Sequence, residues 1–178
     1  MLGAPNTLIG VFYDKMTDWL SIGPGLTKAG TLTGLSSYGK PNEVAINDWK
    51  DFIINNNGNL SLGDIDFYYV MASKLAGLPP HTYRLWLKKE NKLFNQKPHN
   101  SSPNTILTKS EVDTVKGMDL ASSVQYIFEK IVLMFIGELY DMTKDYNQGN
   151  LCLAGGSFLN CNVNYKILKE SKFKNIYI

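Results

Sequence analysis

The stretch Leu151-Cys-Leu-Ala-Gly-Gly-Ser-Phe-Leu-Asn-Cys-Asn-Val-Asn164 decides how this chain is read. Leu151 to Ala154 predicts a short buried strand, Ser157 to Glu170 a helix, and Asn175 to Ile178 the start of a second strand. Strand, glycine turn, helix and strand in that order place the chain in the α/β class. A strand that passes through Gly155-Gly156 into a helix aims unpaired backbone N–H groups and the positive end of a helix dipole at one point, where anions and nucleotide phosphates bind. Glycine suits a main chain that lies against a ligand, because no Cβ intrudes and positive φ is allowed. Asn160 and Asn164 stand four residues apart, so they are predicted to share a helix face beside the turn, where their amides can bond a ribose, base or carbamoyl group. The same spacing suits a glycine pair that serves only close strand-to-helix packing beside solvated asparagines. Spacing alone leaves both readings open.

Upstream, Val115, Met118, Ala121, Val124, Phe128, Ile131, Phe135, Leu139 and Met142 keep to three- and four-residue steps, which predicts a long core helix. Ala121, Val124, Phe128, Ile131, Phe135 and Leu139 are its expected buried face. Asn147-Gln-Gly-Asn150 ends it. Before it, Asn95 to Thr108 holds Pro98 and Pro103 and is the most loop-like stretch, a loop-rich break within a single segment covering residues 1–178. His81 to Phe94 reads as a polar helix, and Asp66 to Ala76 as a short buried helix stopped by Gly77-Leu-Pro-Pro80. Trp49 to Ile54 and Asn59 to Leu62 bracket Asn55-Asn-Asn-Gly58, a hairpin signal. At the other end, Leu8, Val11, Phe12, Met16, Trp19 and Leu20 recur at helical spacing, with Thr7 as the cap. Gly23-Pro-Gly25 then breaks the helix, and Gly30 to Gly39 is a run of small residues read as no regular element.

The 178 residues are 44% hydrophobic, 19% charged and 12% aromatic, which excludes disorder and collagen. A net charge of +2 leaves no footprint for nucleic acid or an anionic membrane as the main partner. The longest uninterrupted apolar run, Ile131 to Ile136, falls far short of the roughly 20 residues of a membrane span. Met1-Leu-Gly-Ala-Pro5 has no basic or apolar leader pattern, so the expected location is the cytoplasm, with Cys152 and Cys161 as reduced structural thiols. His81 and His99 have no partner at a ligand spacing. Arg84, Lys88, Lys89, Lys92 and Lys97 read as a solvated face, and so do Asp14 and Asp18.

Four ordered blocks carry a resemblance. The Leu151–Asn164 stretch is similar to the Leu-x-Leu-x-Gly-Gly-x-x-x-Asn-x-x-x-Asn block of NodU-type carbamoyltransferases. Thr7-Leu-Ile-Gly-Val-Phe-Tyr13 with Met16-Thr-Asp-Trp-Leu20 resembles that family's Ser-Leu-Gly-x-x-Tyr-x-x-x-Thr segment. Gly34-Leu-Ser-Ser-Tyr-Gly-Lys-Pro41 resembles its Gly-Leu-Ala-Pro-Tyr-Gly, and Asp119-Leu-Ala-Ser-Ser-Val-Gln125 with Glu129 its Asp-Ile-Ala-x-x-Gln-x-x-x-Glu helix.

The resemblance implies part of an actin-like, sugar-kinase-like (ribonuclease H-like) domain. It implies an O-carbamoyltransferase in which carbamoyl phosphate and ATP yield carbamoyl adenylate in a second domain, and a small metabolite's hydroxyl accepts the carbamoyl group in the actin-like one. Gly155, Gly156, Ser157, Asn160 and Asn164 would then contact the nucleotide, with Gly10 of the first helix facing the same cleft; no catalytic acid or base is assigned. The expected partners are the hydroxyl acceptor, the remainder of the transferase domain and the adenylate-forming domain. The family's divalent-metal motif, two histidines separated by three residues, is absent, and its Asp-Ala-Gly ligand would fall beyond Ile178. Ala29-Gly-Thr31 also stands where the family has Glu-x-Lys. The chain is therefore expected to be a segment of the enzyme that is inactive alone. The rival readings are a relative that transfers threonylcarbamoyl to tRNA and a non-catalytic nucleotide-binding or assembly module.

Overall fold

A computed structural model describes residues 9–20, 25–56, 59–61, 65–77 and 115–178. Its elements are α1 (Ile9–Trp19), α2 (Gly25–Ser36), α3 (Glu43–Asn47), a 3-10 turn (Trp49–Phe52), β1 (Ile54–Asn56), β2 (Asn59–Ser61), α4 (Ile65–Leu75), α5 (Val115–Thr143), β3 (Asn150–Cys152), a second 3-10 turn (Gly156–Leu159), α6 (Cys161–Glu170) and β4 (Asn175–Tyr177). This is a mixed, α/β-like arrangement in which helices surround one long helix and a small parallel sheet closes one end.

The long helix α5 organises the core, with Ala121, Val124, Ile127, Phe128 and Ile131 essentially inaccessible to solvent. Its 29 residues are long and apolar enough to cross a membrane by length and composition, which a count of uninterrupted apolar residues misses. The apolar character has a use inside the fold, because α1, α2, α3 and α6 all pack on this helix. The expected buried face is too long at its C-terminal end. Phe135 and Leu139 are only half-buried, and the flanking Val115 and Met142 are exposed, since the neighbouring helices cover the middle turns of α5.

Helix α2 is the main departure from expectation. Residues 25–36 were expected to be loop and irregular chain, yet they form a helix whose broadest contact is with α5. Two glycines inside a helix cost about 1 kcal/mol each relative to alanine, so packing has to supply the stability. Leu32 is fully buried and Leu35 and Ala29 lean on the same core.

The hairpin is present with β1 antiparallel to β2, Ile54 opposite Ser61 and Asn56 opposite Asn59. Trp49 to Phe52, expected as strand, is a 3-10 turn that drives Phe52 into the core against Phe12. Helix α4 ends at Leu75, and Gly77 just beyond it has a φ of +69°, a left-handed terminating conformation. The expected helix at 81–94, the loop at 95–108, both histidines, the basic cluster and the Thr7 cap lie outside the described residues.

At the C-terminal end β3 and β4 run parallel, Leu151 beside Ile176, and α6 connects them. Leu151 faces the core while Asn150, Cys152, Asn175 and Tyr177 are exposed on the other face. Both cysteines are free and exposed rather than packed. The predicted single helix from Ser157 is in fact two pieces, the 3-10 turn and α6, with Asn160 as the joint.

Candidate functional site

The chain leaves β3 through Leu153, which is buried and hydrogen-bonded to Tyr177, and reaches the surface at Ala154. Gly155 has φ of +103°, a conformation that L side chains rarely adopt. Gly156 has an ordinary φ, and a Cβ built on it would meet no described atom within 4 Å. The two glycines therefore have different reasons. Gly155 is required by the turn, whereas no described residue packs where a Cβ on Gly156 would lie. Packing among the described residues does not account for Gly156.

Gly10, in the first turn of α1, lies against this turn, since a Cβ there would come 2.9 Å from Ser157 Oγ. Three glycines and a serine hydroxyl from two distant parts of the sequence thus converge at one surface point. The helix dipole is placed differently from expectation. Helix α6 begins only at Cys161, after a 3-10 turn that starts at Gly156 itself, and its first turn is capped by the Asn160 side chain, whose Oδ1 accepts from Val163 N at 3.1 Å.

Asn160 and Asn164 do not share an open face of a helix. Asn160 is buried, and its amide is engaged inside the protein. Asn160 Nδ2 donates to Gln125 Oε1 at 2.9 Å and to Thr33 Oγ1 at 3.3 Å, while Gln125 Nε2 donates back to Asn160 Oδ1 at 3.3 Å. Asn164 Nδ2 donates to the carbonyl of Phe158 at 2.7 Å and so braces the 3-10 turn, and its buried Oδ1 has no hydrogen-bond partner among the described residues.

The network around Asn160 extends to Tyr13, whose hydroxyl donates to Gln125 Oε1 at 2.8 Å and stands 2.8 Å from Thr33 Oγ1. Gln125 Nε2 also donates to Glu129 Oε1 at 2.7 Å. Burial pushes the Tyr13 phenol above its ordinary range, against the opposing bond with Thr33. Burial likewise raises the Glu129 carboxyl, against the Gln125 bond and the charge of Lys166, with Glu170 adding repulsion. Sequence reasoning did not single out Tyr13, Thr33 or Gln125 as site residues. A signal was present, because Gln125 falls four residues after Ala121 on the face of α5 that must be apolar, and a buried amide needs partners.

A second polar junction joins two other blocks. Lys40 N donates to Asp119 Oδ1 at 2.8 Å, and Asn42 N donates to Ser123 Oγ at 2.9 Å, which fastens the chain after Gly39 to the second and third turns of α5. Asn42 also caps α3 through Ala45 N and donates to the carbonyl of Leu75 at the end of α4. Asp14, expected on a surface face, is half-buried on α1. Among the described residues no three His, Cys, Asp or Glu side chains gather as a metal donor set.

A family model described as "Carbamoyltransferase N-terminus" matches residues 4–178. The "Uncharacterized protein sll1178" of Synechocystis sp. is 36% identical over 182 residues, covering 98% of this chain and 25% of that protein. The chain therefore spans about a quarter of that relative's length. No solved structure matches it.

Proposed function

The chain belongs to the carbamoyltransferase N-terminus family, and from that premise we propose that it is part of the actin-like transferase domain of a NodU-type O-carbamoyltransferase, with the turn at Gly155-Gly156 lying against an adenine nucleotide. The observation that carries this reading is the open space at Gly156, where the fold itself places no described atom within 4 Å of a Cβ. Gly10 and Ser157 flank the same point, so the nucleotide would lie between the first turn of α1 and the glycine turn. Backbone N–H groups and the Ser157 hydroxyl are the donors this surface offers to phosphate or carbamoyl oxygens. Asn160 supports the turn from beneath instead of touching the ligand.

In the complete enzyme the nucleotide is carbamoyl adenylate, made from carbamoyl phosphate and ATP in another domain, and the acceptor is the hydroxyl of a small metabolite. The tetrahedral centre of that transfer needs an electrophilic or N–H-rich environment for its oxyanion. The described residues do not fit the divalent metal that the family uses, so no step of the transfer is assigned to them, and their part is to bind and orient the nucleotide.

The test is calorimetric titration of ATP, and of a non-hydrolysable carbamoyl-adenylate analogue, into the full-length protein. Gly156→Val is expected to weaken binding at least tenfold at an unchanged melting temperature, because its branches occupy ligand space and no protein space. Binding that is unaltered in this variant would place the nucleotide elsewhere.

A further inference from the structure

We propose that Tyr13, Gln125 and Glu129 are positioning residues for the glycine turn, acting through Asn160 from within the helical layer. The inference rests on reading that turn as the nucleotide-facing surface.

The 3-10 turn Gly156–Leu159 contains no buried residue. A four-residue turn without a core of its own takes its geometry from its anchors. On the upstream side the anchor is Leu153, buried and paired to β4. On the downstream side it is Asn160, whose backbone N–H reaches the Ser157 carbonyl at 3.4 Å while Phe158 N bonds the Gly155 carbonyl at 3.1 Å. Whatever fixes Asn160 therefore fixes where Gly155 and Gly156 face.

Asn160 is fixed completely. An amide side chain has two N–H donors and two acceptor sites on its oxygen. Both donors are engaged, by Gln125 and Thr33, and both acceptor sites are filled, by Val163 N and Gln125 Nε2. The orientation of Gln125 is determined in turn. Its Nε2 faces the Glu129 carboxylate, which when ionised only accepts, so its Oε1 faces the other way, toward Tyr13 and Asn160. Reversing the Gln125 amide would set its oxygen against that carboxylate. The order is also visible along α1, where Gly10 meets Ser157 and Tyr13, three residues on, meets the partners of Asn160. One face of α1 thus touches both the turn and its support. An apolar cluster of the same volume would fill the space equally well; a fully satisfied polar network adds a fixed direction.

The experiment uses the full-length protein and two variants that preserve bulk, Tyr13→Phe and Asn160→Asp. The aspartate keeps the helix cap and loses the amide donors to Gln125 and Thr33. Phe52→Leu, at a buried site against Phe12 whose ring takes no part in the hydrogen-bonded network, serves as a control for stability alone. Two readouts are taken, the affinity for ATP and amide hydrogen exchange of segment 154–160 without ligand. Tyr13→Phe and Asn160→Asp are expected to weaken ATP binding about tenfold and to speed exchange in the segment, whereas Phe52→Leu lowers the melting temperature and moves neither readout. Lower melting temperatures with unchanged affinity and unchanged exchange would overturn the proposal and reduce the network to a structural staple. If the wild type binds no ATP, the nucleotide reading fails by itself, and the exchange result alone decides: faster exchange upholds the positioning role, and unchanged exchange overturns it. If Asn160→Asp does not fold, Tyr13→Phe decides by the same two readouts.

Discussion

Gly39 and Gly34 stand five residues apart in one sequence block and answer to different physics. A Cβ on Gly39 would collide with the Met118 carbonyl and the Asp119 nitrogen, both backbone atoms of α5 that cannot swing aside. Gly39→Ala is therefore expected to cost about 3 kcal/mol, read as a lowered urea midpoint. Gly34 lies within α2, is exposed, and would meet nothing within 4 Å, so Gly34→Ala should stabilise by about 0.5–1 kcal/mol through helix propensity. A Gly39→Ala protein as stable as wild type would mean that this close approach relaxes freely. Glu129 offers a pH signature at the same scale. Burial raises its folded-state pKa above the ordinary value of 4.5, so the folded state holds its proton more tightly than the unfolded chain does. Stability from this group is present below the ordinary carboxylate value and is lost as pH rises through the raised folded value. Glu129→Gln should remove that component. Melting temperatures measured from pH 4 to pH 7 should show the wild type losing ground to the variant as pH rises; parallel curves would show that Glu129 ionises as freely folded as unfolded.

The elements were legible in the sequence where local pattern and tertiary demand agree. Helix α5 declared itself through its spacing, and Ala121, Val124, Phe128 and Ile131 are buried as that spacing requires. Phe128→Ala should cost about 3–5 kcal/mol, whereas Phe135→Ala, at a half-buried position, should cost distinctly less; equal losses would show that the outer turns of α5 are better covered than their exposure indicates. Helix α2 was not legible because its glycines and threonines favour no helix locally, and its cause is the surface of α5, which one segment's sequence does not display. The glycine turn shows the same division. Its existence and its position could be read from Gly155-Gly156, and the proximity of Gly10 followed from resemblance. The inward direction of Asn160 could not be read, because a 3-10 turn of four residues shifts the start of α6 and converts a presumed helix-face amide into its cap. The polar residue inside an apolar stripe, Gln125, was the available clue to that reversal.

At the scale of the whole molecule, one helix carries most of the tertiary structure. Helix α5 is packed by α1, α2, α3, the Trp49–Phe52 turn and α6, so no subset of neighbours can leave it while the core stays dry. Opening its central turns should require exposing Phe12, Leu32, Phe128 and Ile167 together, residues contributed by four helices and each essentially inaccessible. Local opening has no route to those amides, and they should exchange with solvent only through global unfolding. The β1–β2 hairpin is the opposite case, since among the described residues its strands of three residues pair only with each other, and an isolated two-stranded ribbon is marginal in water. Native-state hydrogen exchange across a urea series should therefore give residues 121–131 an opening free energy equal to that of global unfolding, with the same denaturant dependence. Residues 54–56 and 59–61 should open far more readily and with almost no denaturant dependence, as small local openings expose little surface. The informative alternative is an intermediate value shared by β3, α6 and β4. Such a value would show that the unit bearing the glycine turn opens as a body away from α5, which requires breaking both the Gln125–Asn160 pair and the exposed Lys172–Asp141 ion pair. Tyr13→Phe would then lower the opening energy of the C-terminal unit and leave that of residues 121–131 higher, whereas a single cooperative core would lower both together.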